Sequence, residues 1–326
     1  LKALVTGGTG FIGSHLVEGL LQRGVEVRCL VRKRTDLKWL KDLPVEFVEG
    51  DCTDMASLKT AVTGVEQIFH LAGVTKAVNK KTYFEINANG TKNLIQACLE
   101  KNPNLQKFIY LSSQAAAGPC TNGARKQESD ACLPVSPYGQ SKRKGEEYCL
   151  EHADQLSMMI LRPSAVYGPR DRDVLAFFKI VSKGIKPLFS KKEQRVSLCY
   201  VQDIVQATLL ASNSKISGGE IFFISDGQDY PLDKIGDFFE EAMNVRAHRL
   251  HIPSWLISWV ASFSEWISTF SGNPPLINRG KVEEMMQENW LCDITKARTL
   301  LGYEPQFFLA EGLKMTYEWY LKEGWL

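Results

Sequence analysis

With 326 residues, 44% of them hydrophobic, the chain can bury a large core as one large domain or two intimately joined ones. Its 39 Lys plus Arg balance 37 Asp plus Glu for a net charge of +2, without a long basic block or a basic-aromatic repeat, so nucleic acid is not expected as a partner. The eight cysteines stand singly, with no CxxC and no zinc-like spacing, which predicts a reducing compartment and no metal.

The chain enters its first strand almost at once, so neither a signal peptide nor a lead-in arm is expected. Short apolar strands are predicted at Lys2–Thr6, Val25–Val31, Val45–Val48, Gln67–Leu71, Lys107–Leu111 and Met158–Leu161, with helices such as Ser14–Gln22 and Asn89–Lys101 in the intervals. That alternation predicts an α/β fold, a doubly wound parallel sheet. After Arg162 the rhythm changes: a helix at Asp171–Ser182, a strand near Arg195–Leu198, a helix at Gln202–Ala211 and a strand at Ile221–Ser225. From Leu232 onward the pattern is mainly helical, with a short strand at Arg246–Ile252. The expected division is a nucleotide-binding domain over 1–165 and a smaller, mainly helical substrate cap over 166–326, with segments around 196–225 returning to the sheet. Ligands of open α/β sheets bind beyond the carboxyl ends of the strands, and the cap would close that crevice.

Gly7, Gly10 and Gly13 follow the first strand and open a helix, with Phe11 and Ile12 in the same turn. Glycines so placed allow a tight turn, a close approach of pyrophosphate to backbone, and helix-sheet contact without a side chain. Dinucleotide binding is therefore expected. Asp51 and Cys52 close the third strand, where a carboxylate can accept an adenine amino hydrogen. After the fourth, Leu71, Ala72 and Gly73 would let backbone approach the cofactor, and His70 is read as structural. Nucleotide preference depends on the end of strand two. There Arg32, followed by Lys33 and Arg34, suits the 2′-phosphate of NADP, while Asp36 keeps NAD open as the alternative.

Ser136 suits a helix cap and Pro137 the first turn, which would put Tyr138 and Lys142, four residues apart, on one face. A tyrosine with a pKa of ~10 is a poor base at neutral pH, and a nearby cation favours its phenolate, so Lys142 is expected to lower it.

These segments identify the chain by resemblance with the extended short-chain dehydrogenase/reductases of the NAD-dependent epimerase/dehydratase group, whose fold is of Rossmann type. The Thr6–Gly13 loop, Tyr110–Ser113, Tyr138–Lys142, Arg162–Pro169, Tyr200–Asp203, Asp293–Ala297 and Leu301–Pro305 follow the family's pattern in order over essentially the whole chain. The chain also resembles the 3-beta-hydroxysteroid dehydrogenase and dihydroflavonol reductase branches. The resemblance implies Ser113 as the catalytic serine with Ser112 its structural neighbour, Tyr138 as proton donor or acceptor, and Lys142 on the nicotinamide ribose. It also places Pro163 and Val166 along the nicotinamide. The implied activity is interconversion of a secondary hydroxyl and a ketone by hydride transfer. Nucleotide-sugar epimerisation and a noncatalytic dinucleotide-binding role are the alternatives. Dehydration is disfavoured, since the chain reads Ser113-Gln114-Ala115-Ala116-Ala117 and lacks a Thr-Asp-Glu type insertion.

The substrate region points two ways. Trp255, Trp259, Phe263 or Trp266 recur at helical spacing, with Phe270 and Pro274-Pro275-Leu276 beyond, a layout similar to members acting on apolar alcohols and ketones. Serines interrupt the run, so it does not read as a spanning helix; packing against the cap and facing lipid both stay open. Arg170 and Arg195, by family likeness, fall near where nucleotide-sugar relatives grip phosphate, and either could equally be a surface or an NADP-contacting arginine. A cytoplasmic homodimer is expected, through the helices of Asn89–Lys101 and Tyr138–Glu151.

Overall fold

The computed structural model describes residues 1–120, 123–188, 193–216, 218–271, 274–275 and 278–326, without the side chains of 254, 266, 267 and 269–271. The strands are β1 (Lys2–Thr6), β2 (Glu26–Val31), β3 (Val45–Glu49), β4 (Gln67–His70), β5 (Lys107–Leu111), β6 (Met158–Pro163), β7 (Ala165–Tyr167), β8 (Ile185–Leu188), β9 (Arg195–Val196), β10 (Leu198–Tyr200), β11 (Glu220–Ile224), β12 (Tyr230–Pro231), β13 (His248–His251) and β14 (Asn289–Trp290). The helices are α1 (Phe11–Gln22), α2 (Met55–Val62), α3 (Lys80–Tyr83), α4 (Gly90–Lys101), α5 (Gln114–Ala117), α6 (Pro137–Glu151), α7 (Arg172–Val181), α8 (Val201–Asn213), α9 (Leu232–Met243), α10 (Ser254–Ser271), α11 (Arg279–Met285), α12 (Thr295–Leu301) and α13 (Leu309–Lys322).

Among the described residues the main sheet has seven strands, all parallel, in the order β11-β6-β5-β4-β1-β2-β3. Strands β4, β5 and β6 are buried along their whole length, which is why their centres, Ile68-Phe69, Phe108–Leu111 and Met158–Leu161, read as apolar runs rather than as alternating ones. One face packs on α1 and α8 through Leu16, Val17, Leu20, Ile204 and Val205. The other packs on α2, α4 and α6 through Leu58, Leu94, Ile95 and Cys149. The strand order reverses between β1 and β4, and a crevice at the carboxyl ends of the strands is expected there.

Two elements differ from the sequence reading. The strand expected at Arg195–Leu198 is two, because Ser197 turns aside: its amide donates to Trp290 O and its Oγ accepts from Cys292 N. β9 therefore lies between β12 and β14, while β10 pairs with β7, and β11 alone of this region joins the main sheet beside β6. The helix expected from Asn89 is preceded by α3 and a π-helical stretch at Phe84–Asn89 that runs directly into α4. Such stretches often mark functional positions. Here it turns the buried Asn87 toward Val74 and Ser141, with Nδ2 donating to Val74 O (3.0 Å) and Ser141 Oγ (2.9 Å).

A buried ion pair fixes α6 to the sheet. Arg162 of β6 meets Glu146 of α6 through two hydrogen bonds, Nε to Oε1 at 2.8 Å and Nη2 to Oε2 at 2.7 Å, and both side chains are fully buried. Ser112 Oγ adds a third bond to Glu146 Oε1 at 2.6 Å. Arg162→Met would leave the carboxylate without its main partner, at a cost of about 3–5 kcal/mol in urea unfolding. The double variant with Glu146→Leu is expected to recover most of that loss, and a stable single variant would contradict the tether.

Candidate active site

The site begins where α6 starts. Ser136 caps the helix, its Oγ accepting from Gly139 N at 3.0 Å, and Pro137 occupies the first turn. A Cβ on Gly139 would lie 2.3 Å from Ala115 O, so only glycine lets α6 come this close to α5. That approach brings Tyr138 beside Ser113, which caps α5 by accepting from Ala115 N and acts to lower the phenol's pKa. Ser112, next door, is committed to Glu146.

Lys142 lies one helical turn beyond Tyr138 and is buried. Its Nζ donates to Leu111 O at 2.6 Å and sits 4.2 Å from the centre of the Tyr110 ring. Burial pushes the amine down to about 7, opposed by Glu146 and Cys149. Burial likewise pushes the Tyr138 phenol up to about 12, opposed by Ser113. This is a correction to the expectation that Lys142 lowers the phenol. The ammonium is turned to the end of β5 and is itself desolvated, so burial outweighs any help it gives Tyr138.

The glycine turn fits a dinucleotide. Gly7 has φ +74° and sits against the Leu71–Ala72 backbone, and a Cβ on Gly13 would fall 2.1 Å from Gly7 O. With Gly10 as the cap, no side chain covers the first amides of α1, and such uncovered amides favour an anion. Leu71 and Ala72 are fixed by bonds from their amides to Thr6 O (3.1 Å) and Thr6 Oγ1 (3.2 Å), and Gly73 faces Asn87. Phe11 and Ile12 open α1, partly buried against the core. Asp51 Oδ1 already accepts from the amide and hydroxyl of Thr53, while Cys52 is buried and its carbonyl accepts from Asn93 Nδ2 at 3.1 Å. Arg32 is exposed after β2, close enough to the Cys52 thiol to counteract the burial that pushes it up to about 12. Pro163 ends β6 beside Ile224, and Val166 pairs with Cys199.

His70 is fully buried, with Nδ1 2.7 Å from Thr6 Oγ1 and Nε2 2.9 Å from Thr91 Oγ1, and burial pushes it down to about 3. It is a neutral bridge between β1 and α4. Sequence reasoning missed this chain of bonds and Asn87 within it, although asparagine in a helix interior is a signal for a side chain with backbone work to do.

The two arginines expected to grip phosphate each have a carboxylate partner within the protein. Arg170 bonds Glu18 Oε1 on α1 at 2.6 Å and lies 4.6 Å from the centre of the Trp39 ring. Arg195 is exposed on β9 and paired with Glu193 at 2.9 Å. In α10 Trp255, Trp259 and Phe263 do not pack inward as one of the sequence readings had them. Ile257 and Ala261 do, against Val282, whereas Trp255 and Trp259 are 69% and 65% exposed. The side chains of Trp266 and Phe270, and Leu276 altogether, lie outside the described residues. Among the described residues no group of three or more His, Cys, Asp or Glu is placed to hold a metal.

Residues 3–225 match the NAD dependent epimerase/dehydratase family. The chain belongs to that family. It is an enzyme of NAD(P)-dependent hydroxyl/ketone oxidoreduction. It is 28% identical to a ceramide reductase of Caulobacter vibrioides over 99% of this chain and 95% of that one. It is 29% identical to a 3 beta-hydroxysteroid dehydrogenase/Delta 5-->4-isomerase of Mycobacterium tuberculosis, over 98% and 90%. Among solved structures, UDP-glucose 4-epimerase of Thermotoga maritima with UDP-glucose superposes with a TM-score of 0.82 at 26% identity, covering 99% of each chain.

Because Lys142 titrates near 7 when folded and near its ordinary 10.5 when unfolded, the unfolded chain binds more protons between those values, and this contribution to stability rises with pH across that window. Lys142→Met removes it. The wild-type urea midpoint, relative to the variant's, should therefore climb from pH 7 toward 10, whereas a constant difference would contradict a depressed amine.

Proposed function

We propose net oxidoreduction of an apolar secondary alcohol or ketone, with Ser113, Tyr138 and Lys142 as the catalytic triad. The observation that carries the choice of substrate is the placement of Arg170 and Arg195. The diphosphate of a sugar nucleotide is ordinarily held by guanidinium groups, yet Arg170 bonds Glu18 through Nη2 and lies over Trp39, and Arg195 pairs with Glu193 at the surface. Beside Ser113 the chain offers the buried Ala115, Ala116 and Ala117. The ceramide reductase and hydroxysteroid dehydrogenase relatives agree with a lipid-like substrate. Epimerisation of a nucleotide sugar is the second reading, favoured by the fold's likeness to UDP-glucose 4-epimerase.

In this reading Ser113 donates a hydrogen bond to the substrate oxygen and Tyr138 passes the proton to or from it. Lys142 leaves the Leu111 carbonyl to hold the nicotinamide ribose. Bound nicotinamide supplies the hydride exchange and, when oxidised, a positive ring that favours the phenolate. The cradle consists of Gly7, Gly10, Phe11, Ile12 and Gly13, with Asp51, Cys52, Leu71, Ala72 and Gly73 toward the adenine and the strand ends, and Pro163 and Val166 along the nicotinamide. NADP is the favoured cofactor because Arg32, Lys33 and Arg34 stand exposed after β2; NAD is the alternative. Residues 1–165 then chiefly carry the cofactor and 166–326 the substrate. A cytoplasmic homodimer through α4 and α6, which lie side by side, completes the proposal.

Counting cofactor against product tests the reaction: hydrophobic secondary alcohols or ketones should consume it one for one. Inversion of UDP-sugars without net consumption would instead establish the epimerase. Tyr138→Phe is expected to slow single-turnover chemistry by ~10²–10⁴ while retaining the cofactor, and an unchanged rate would remove Tyr138 from the mechanism. In titrations of both cofactors, Arg32→Ala should weaken NADP more than NAD, whereas equal losses would dissolve the case for the 2′-phosphate.

A further inference from the structure

We infer that the exposed aromatic face of α10, with the basic strand β13 that leads into it, docks on the surface of an anionic lipid bilayer. Trp255, Leu256, Trp259, Val260 and Phe263 are all exposed. At about 100° per residue they fall within an arc of roughly 140°. Ile257 and Ala261, on the opposite side, pack on Val282 of α11. The indole of Trp259 stacks on Phe263, with ring centres 5.9 Å apart and planes 3° from parallel, so the outward surface is flat and preformed. Aromatic rings with a polar tip suit the boundary between headgroups and acyl chains. No described helix is long and apolar enough to cross a membrane, which fits a helix lying in the plane.

Charge complementarity selects the occupant. From Arg246 to Ser264 the chain carries two arginines and two histidines and no acidic residue. Arg246, His248, Arg249, Leu250 and His251 are all exposed; Arg249 has one distant carboxylate partner, Asp237 at 3.4 Å. A second copy docked twofold on the same face would bring these like charges together with no acid in the segment to meet them. An anionic bilayer meets both features at once, the basic strand and the aromatic arc.

The face also lies next to the site. α10 rests on α11, where a Cβ on Gly280 would lie 3.0 Å from Pro137, Glu284 accepts from Ser136 Oγ, and Asn278 Nδ2 bonds the Tyr83 hydroxyl at 2.8 Å. Tyr83 in turn packs edge-on to Tyr138, with ring centres 6.4 Å apart. A bilayer held by α10 is thus one helix away from the proposed acid/base.

This inference goes beyond the proposed reaction and is tested without turnover. The full chain is mixed with phosphatidylcholine vesicles with and without phosphatidylserine, and cosedimentation and tryptophan emission are followed. Wild type should partition onto the serine-containing vesicles with a blue shift. The triple variant Trp255→Ser, Trp259→Ser, Phe263→Ser should bind about 100-fold more weakly. Arg246→Glu with Arg249→Glu should lose about tenfold on anionic vesicles and little on neutral ones. Absence of wild-type partition, or equal partition of the triple variant, would overturn the inference. So would lipid-free self-association that the triple variant abolishes, because the face would then belong to a second copy.

Discussion

The arrangement depends on how closely α6 is held against the carboxyl end of β5. Three contacts set that distance: the bare Cα of Gly139 against Ala115 O, the Lys142 ammonium on Leu111 O, and the Arg162 guanidinium clamped on Glu146 with Ser112 behind it. The first sets a lower limit by sterics, and the others pull the helix down to it. In a water-excluded interior such charge-assisted bonds are strong, but they repay the desolvation of both ions only when the geometry is complete. Here Glu146 accepts from Arg162, Ser112 and, at 3.2 Å, Arg143. Its carboxylate is thus nearly saturated, and α6 is held in one register relative to β5 and β6.

The same burial sets the electrostatics. A phenol pushed up to about 12 stays uncharged at neutral pH, while an amine pushed down to about 7 gives up its proton far more readily than an ordinary lysine. His70, Thr6 and Thr91 extend this uncharged character below the site, since a neutral imidazole links β1 to α4 without adding a field of its own.

Most of the main sheet was legible because its strands are short apolar runs separated by helical periods, and the glycine turn because each glycine in its spacing answers to a physical duty that a side chain would block. Tyr138 and Lys142 were legible because a serine and a proline announce the helix two residues earlier. What stayed hidden depended on partners distant in sequence. Nothing near Ser197 says that it will turn away to bond residues 290 and 292 and split a strand. Nothing near Arg170 says that Glu18, 152 positions earlier, will claim it. The inward face of α10 was misjudged in one reading for a related reason. Periodicity locates an aromatic stripe but does not say which side of the helix meets the core, and the smaller Ile257 and Ala261 took that side.

The cysteines carry a consequence of their own. Seven of the eight thiols are buried and several are pushed well above their ordinary range, so they behave as small hydrophobic side chains, slow toward electrophiles and oxidants. Cys132 alone is partly exposed, and its sulfur lies 3.2 Å from Nη2 of Arg162. Among the thiols, attack therefore has a preferred address, and it adjoins the guanidinium that holds the helix of Tyr138 and Lys142 in register. An adduct on that one sulfur reaches the reaction centre mechanically, through a displaced ion pair, without touching a residue that handles substrate.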